Sequence, residues 1–268
     1  MGLPEPSVSS TAVVTGASSG IGAAIAQELA SRGHSVTLVA RREERLRSLA
    51  TELAADHGVA AEVIACDLGD EAERDRLATE LRNRGQLVEV LVNNAGFGHQ
   101  ADFARSPHER MVEMVRINVE AVVDLTSRFL TGMVDRGRGS VINIASTAAF
   151  QPLPGSAVYA ASKSFVLSFS EAIRTELRGS GVTVTAVCPG PVRTEFTEVA
   201  GFEQGVEEKT PSIVWMSADD VARHAVDGAQ HDRRVVVPGA LNRATALAGQ
   251  HSPRAVALPL ISRIWRNV

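Results

Sequence analysis

The chain has 268 residues, 44% of them hydrophobic and 22% charged, with a formal net charge of -4. These values fit one globular α/β domain and exclude a disordered chain, and the absence of a basic surplus argues against a nucleic-acid partner. Two cysteines, Cys66 and Cys188, imply no disulfide framework, so a reducing, cytoplasmic setting is expected.

In chain order, residues 1–8 carry no signal-peptide pattern and are expected to be a loose end. Short runs rich in Val, Ile and Ala then alternate with longer amphipathic stretches. The strand candidates are Ala12–Val14, Val36–Val39, Glu62–Ala65, Val90–Val92, Val141–Ile144, Val182–Val187 and Val235–Val237. Helices are expected near 20–32, 42–57, 70–84, 107–135, 158–179 and 218–229, several opening on a capping Ser or Asp. No apolar run is long enough to span a membrane. Apolar strands joined by helices specify a parallel sheet covered on both faces, so the expected fold is a single doubly wound Rossmann domain over 1–268 with a seven-stranded parallel sheet. Ligands of such sheets sit beyond the strand carboxyl ends, where strand order reverses. Gly16, Arg41, Asp67, Asn93–Gly96, Ser146 and Pro189–Gly190 all follow predicted strands directly.

The first strand runs into Thr15, Gly16, Ala17, Ser18, Ser19, Gly20, Ile21 and Gly22. Glycines there allow a tight turn and close approach of a pyrophosphate to the amides at the start of a helix. The bland reading is that they serve tight packing alone. A cofactor with a free ribose 2′-hydroxyl calls for an acid about 20 residues later, and one with a 2′-phosphate calls for arginine. The second strand ends Val39, Ala40, Arg41, Arg42. Arg41, with Arg42 and Ser18 beside it, is read as selecting NADP(H), with NAD(H) still possible. The alternative is that both arginines are a solvated first helical turn paired with Glu43 and Glu44.

Tyr159 is the only tyrosine, and Lys163, one of two lysines, stands four residues on. In a helix that spacing puts both on one face, where an ammonium lowers a phenol pKa towards the range of a general acid. Ser146, 13 residues before Tyr159, is placed to hold a substrate oxygen. Asn118 falls inside the long predicted helix, an unfavourable place for Asn unless its amide has a task such as bridging the lysine through water.

The motifs together resemble the classical short-chain dehydrogenase/reductases from about residue 10 to about 240. They are the glycine turn at 15–22, Asp67-Leu68, Asn93–Gly96, Asn118, Ser146, Tyr159 with Lys163, and Pro189–Thr194. The chain is also similar to actinobacterial 3-oxoacyl or mycolate-precursor reductases with an Arg-rich end. The resemblance implies that Asp67 and Leu68 bind adenine and that Asn94, Ala95 and Gly96 line its ribose. Pro189, Gly190, Val192 and Thr194 would hold the nicotinamide carboxamide. Tyr159 would be the proton donor in reduction, Lys163 the ribose anchor, Ser146 the carbonyl clamp and Asn118 part of a proton relay, with no metal. It also implies homodimers or homotetramers paired through 107–135 and 158–179.

The expected activity is NADP(H)-dependent reduction of a carbonyl, a lipophilic ketone or 3-oxoacyl group, to an alcohol. An NAD(P)-linked alcohol or steroid dehydrogenase working oxidatively and a non-catalytic dinucleotide sensor stay open. Residues 195–215, with Phe196, Val199, Phe202, Trp215 and Met216, read as a substrate lid, and 147–154 as the opposite wall. From Arg233 to Val268 there is no Asp or Glu but six arginines. The tail 240–268 is open to three readings: contact with an anionic membrane surface, a cover over the site, or packing on the core or a neighbouring subunit.

Overall fold

The computed structural model describes residues 2–196, 200, 214–255 and 258–259. Strands β1 (Ser10–Thr15), β2 (Val36–Ala40), β3 (Ala61–Ala65) and β4 (Leu87–Asn93) alternate with helices α1 (Gly20–Ser31), α2 (Glu43–His57) and α3 (Glu71–Asn83). Then come α4 (His108–Val115), α5 (Ala121–Arg136), β5 (Gly139–Ile144), α6 (Ala157–Glu176) and β6 (Val182–Val187). Last are α7 (Ala218–Gln230), β7 (Val235–Val236) and α8 (Ala240–His251). The strands form one parallel sheet in the order β3-β2-β1-β4-β5-β6-β7, and the order reverses between β1 and β4.

Strands without polar alternation are explained by the two layers they feed. Val14, Leu38, Val92 and Ile144 face one buried cluster with Ile25 and Leu29 of α1, Leu46 and Leu53 of α2 and Val226 of α7. Their neighbours Val13, Val39, Leu91 and Val141 face the other, with Leu77 and Leu81 of α3, Leu125 and Met133 of α5 and Ile173 of α6. Both faces leave water, and each such side chain contributes about 1.5–3 kcal/mol. Caps fall where Asp and Ser precede helices: Asp70 accepts from Ala72 N–H at 2.8 Å and Ser217 from Asp220 N–H at 3.0 Å.

Two expectations are corrected. The helix expected over 107–135 is α4, a π turn at Arg116–Glu120 and α5. Ala121 N–H donates to Arg116 O, five residues back, so one extra residue enters the turn while the backbone stays helical. Within the expected loose end, residues 2 and 3 are held: Leu3 is buried in the α1/α7 cluster, and Gly2 lies so close to the Gln230 carbonyl that a methyl on it would collide. The tail opens as a helix, α8, packed on the short turn Thr147–Phe150, in keeping with the reading that it packs on the core. Val199, Phe202 and most of the expected lid, and Ile261, Arg263, Ile264, Trp265 and Arg266 of the tail, lie outside the described residues.

Candidate active site

At the strand carboxyl ends a cleft of about 950 Å3 opens where β1 and β4 part. Its dinucleotide end is built on backbone. Gly16 and Gly20 have φ of +66° and +57°, a region side chains avoid, and a methyl on Gly22 would overlap the Gly16 carbonyl. Ser19 caps α1 without a side-chain bond and the first turn holds no acid, so the N–H groups and positive dipole end of α1 are left for an anion. Ile21 anchors the turn against the core below. Across the cleft, Thr194 lies over the turn, 3.1 Å from where a Gly20 methyl would stand. A dinucleotide phosphate fits this bare cradle.

Thr15, which sequence reasoning passed over, sets the spacing of the crevice. Its hydroxyl accepts from Asn94 N–H (2.9 Å) and Ala95 N–H (3.0 Å) and donates to Val92 O (3.0 Å). Asn94 Nδ2 donates back to Thr15 O at 2.8 Å. Behind it, Asn93 Nδ2 donates to Asn143 Oδ1 (2.8 Å) and Thr126 Oγ1 (3.0 Å), tying β4 to β5 and α5.

At the end of β2 the structure brings Arg42, not Arg41, onto the glycine turn. Arg42 donates to Ser18 Oγ from Nε (3.1 Å) and Nη2 (2.9 Å), and to Ser19 Oγ at 2.7 Å. Arg41 lines the cleft but is largely exposed, with Glu113 at 3.8 Å. Glu43 takes Arg47 as its ion-pair partner, so the pairing of Arg41 and Arg42 with Glu43 and Glu44 is not what holds them. Past β3, Asp67 Oδ1 accepts from Gly69 N–H at 2.9 Å, and Glu73 Oε2 accepts from Asp67 N–H at 2.6 Å. The Leu68 carbonyl is held by Arg74 at 2.7 Å.

The chemistry-bearing side chains meet at the other end. Ser146 follows β5 and caps the turn Thr147–Phe150, accepting from Ala148 N–H at 3.1 Å. Tyr159 and Lys163 project from one face of α6, with Lys163 Nζ 5.8 Å from the phenol ring centre and donating to Ile144 O at 2.8 Å. Burial pushes the Tyr159 phenol up to about 12, opposed by a hydrogen bond with Ser146, and pushes Lys163 down to about 8. The expected lowering of the phenol by Lys163 is not found: desolvation dominates the shift, and the group that opposes it is Ser146. Asn118, on the π turn, is fully engaged as a brace: Oδ1 accepts from Phe97 N–H (3.1 Å), and Nδ2 donates to Phe97 O and Ser162 Oγ (both 3.0 Å). Ser162 donates in turn to Tyr159 O at 2.7 Å. Gly96 runs between Asn118 and Lys163, where a methyl would stand 2.9 Å from Asn118 Oδ1 and 3.5 Å from Lys163 Nζ. Cys66 and Cys188 are buried, which holds both as thiols near 12.

Beyond Tyr159 the wall is formed by Phe196, whose ring is tilted on the phenol at 5.5 Å, with Leu153, Trp215 and, from α8, Thr245 and Ala246. Val192 is fixed by a bridge to Met216. Gly190 is glycine because Asn242 of α8 occupies its side-chain space, and Asn242 Nδ2 spans Val214 O and Pro238 O, both at 3.2 Å. Of the tail readings, the start of the tail thus forms part of the cleft wall.

Fold and cleft together define an enzyme with a dinucleotide cleft beside a buried phenol. The short chain dehydrogenase family model matches residues 10–204, and the chain belongs to that family. It is 36% identical over 200 residues to very-long-chain 3-oxoacyl-CoA reductase of Anas platyrhynchos, a match covering 73% of this chain and 64% of that protein, just under two thirds of its length. It is 37% identical over 227 residues to sulfoacetaldehyde reductase 2 of Chromohalobacter salexigens, covering 80% and 86%. Among solved structures, a short-chain dehydrogenase from Sphingobium yanoikuyae in complex with NADPH superposes with a TM-score of 0.80 at 33% identity, covering 94% of this chain and 95% of that one. The chain is an NAD(P)-dependent oxidoreductase acting between alcohol and carbonyl. Among the described residues no helix is long and apolar enough to cross a membrane.

Proposed function

We propose that the enzyme reduces a lipophilic ketone or 3-oxoacyl group with NADPH, in the cytoplasm. The observation that carries this reading is that Ser146, Tyr159 and Lys163 line one end of the same cleft, with Lys163 Nζ 5.8 Å from the phenol ring centre, opening onto a wall of Phe196, Leu153 and Trp215. A bound nicotinamide supplies the hydride. Ser146 holds the substrate oxygen, and Tyr159 gives that oxygen its proton as carbon accepts the hydride. Lys163 anchors the nicotinamide ribose, and Asn118 keeps the Phe97 segment and α6 in register for proton supply. Gly16–Gly22 hold the pyrophosphate, Asp67 and Leu68 the adenine, Asn94–Gly96 its ribose, and Pro189–Thr194 the carboxamide. Arg42 with Ser18 and Ser19, flanked by Arg41, forms the 2′-phosphate site. The apolar wall favours a lipophilic substrate over a small charged one.

Pairing through α5 and α6 into dimers or tetramers is supported by Val123 and Val134 on α5 and Phe165 on α6, large apolar side chains left exposed. Leu241 and Leu247 of α8, exposed in an acid-free tail, fit contact with an anionic membrane surface.

The test is Tyr159→Phe, followed by NADPH consumption with 3-oxoacyl thioesters and bulky ketones and by calorimetric titration. Turnover is expected to fall roughly 10²–10⁴-fold, the range of one general acid, while NADPH still binds as in wild type. Near wild-type turnover in the variant would remove Tyr159 from its role.

A further inference from the structure

Glu195 follows Thr194 at the cleft mouth and reaches over to the end of β2. Its Oε2 accepts from Arg42 Nη1 at 2.8 Å and its Oε1 from Arg45 Nη1 at 2.6 Å. The same Arg42 guanidinium grips Ser18 and Ser19 of the glycine turn. A carboxylate therefore sits on two guanidiniums and next to two hydroxyls, a donor set suited to the three oxygens of a phosphate monoester. The two arginines hold Glu195 down at about 2, so it is an anion at neutral pH. No acid stands at the end of β2 itself, where Ala40 is followed by Arg41. The acid near the ribose end of the cleft arrives instead from a residue 153 positions beyond Arg42.

We propose that Glu195 is an intramolecular competitor for the anion site at Arg42 and Arg45, so that it tunes how strongly the enzyme discriminates between 2′-phosphorylated and unphosphorylated dinucleotides. A 2′-phosphate must displace the Glu195 carboxylate from both guanidiniums. An unphosphorylated ribose leaves the ion pairs as they are. All three side chains are between 43% and 51% exposed, so the displaced carboxylate returns to water easily. Glu195 consequently attenuates 2′-phosphate binding and does not block it. This inference rests on the dinucleotide reading of the cleft and holds whether NADPH or NADH is the physiological cofactor.

The experiment is calorimetric titration of the full chain and its Glu195→Gln variant with 2′,5′-ADP, 5′-AMP, NADPH and NADH. In the variant, 2′,5′-ADP and NADPH are expected to bind about threefold to fivefold tighter, the scale of an exposed ion pair, with 5′-AMP and NADH unchanged. In an Arg42→Ala/Arg45→Ala background the same substitution is expected to give no gain, since the competition has lost its object. Unchanged or weaker 2′,5′-ADP binding in Glu195→Gln overturns the proposal, as does an equal gain for 5′-AMP. The wild-type protein separately reports the NADP preference: equal NADPH and NADH affinities would overturn that preference, while the response to Glu195→Gln still decides the competition.

Discussion

Tyr159 and Lys163 are shifted in opposite directions by the same cause, loss of water, and the two shifts give the two directions of the reaction different expected pH profiles. With its phenol pushed up to about 12, Tyr159 carries its proton at pH 7 and is loaded as an acid. Oxidation needs the phenolate, whose population below the pKa rises tenfold per pH unit. Lys163, pushed down to about 8, loses its charge above that pH and with it part of its pull on the phenolate. Alcohol oxidation kcat/KM is thus expected to climb with pH from 7 to 10, less than tenfold per unit above 8, while carbonyl reduction does not climb. Initial rates in both directions across that range check this, and a flat oxidative profile would remove Tyr159 as the base. That Ser146, Tyr159 and Lys163 meet in one cleft was legible because they keep short, fixed spacings around one strand end and one helix face. Thr15, Ser162, Asn242 and Glu195 were not, because each meets a partner distant in the chain that only the fold brings close. Glu195 reaches Arg42 across 153 positions, a pairing that no local pattern records. The one available signal for it was the missing acid after β2.

At the scale of elements, the strands were readable because burial on both faces leaves an unbroken apolar run, whereas the π turn was not. Its residues keep helical dihedrals and helical composition, and only the hydrogen-bond register shifts. That turn is steadied from outside by Arg74 of α3, which is 1% exposed. Arg74 donates to Glu120 on the π turn at 2.5 Å, to Asp124 of α5 at 2.6 Å and to the Leu68 carbonyl at 2.7 Å. One side chain thus joins the adenine end of the cleft to the turn that carries Asn118. Arg74→Met keeps the apolar stem but takes its donor from Glu120 and from the Leu68 carbonyl and leaves Asp124 with Arg128 alone. Glu120 and Asp124 are partly solvated, so the loss should be less than for a fully buried pair, about 2–3 kcal/mol. Urea unfolding measures it, and calorimetry should show weaker NADPH binding alongside. A loss below about 0.5 kcal/mol, the range of ordinary surface changes, would mean that the three contacts contribute nothing net.

Taken as a whole, the molecule divides its cleft between two sources. The dinucleotide end comes from β1 to β4 and their loops, while the substrate end draws on the turn after β5 and on α8, an element beyond the last strand. Composition alone left the tail open, because an acid-free, Arg-rich stretch reads as membrane contact, as a cover over the site or as packing on the core or a neighbouring subunit. Contacts place one face of the helical part on the cleft. Asn242 fills the space beside Gly190 and bridges Val214 O to Pro238 O, Thr245 and Ala246 face the cleft, and Gly249 approaches Gln151. A chain ending at Gly239 keeps every strand and both buried layers, so it should fold. It loses the outer wall of the substrate half, and with it the exclusion of water around the reacting carbon. The expected result is a rise in carbonyl KM of at least about tenfold, roughly 1.4 kcal/mol of binding, with the NADPH affinity changed much less, because the phosphate cradle and Arg42 are untouched. The opposite split, NADPH binding lost and carbonyl KM retained, would show that α8 serves the nicotinamide segment through Gly190 and not the substrate.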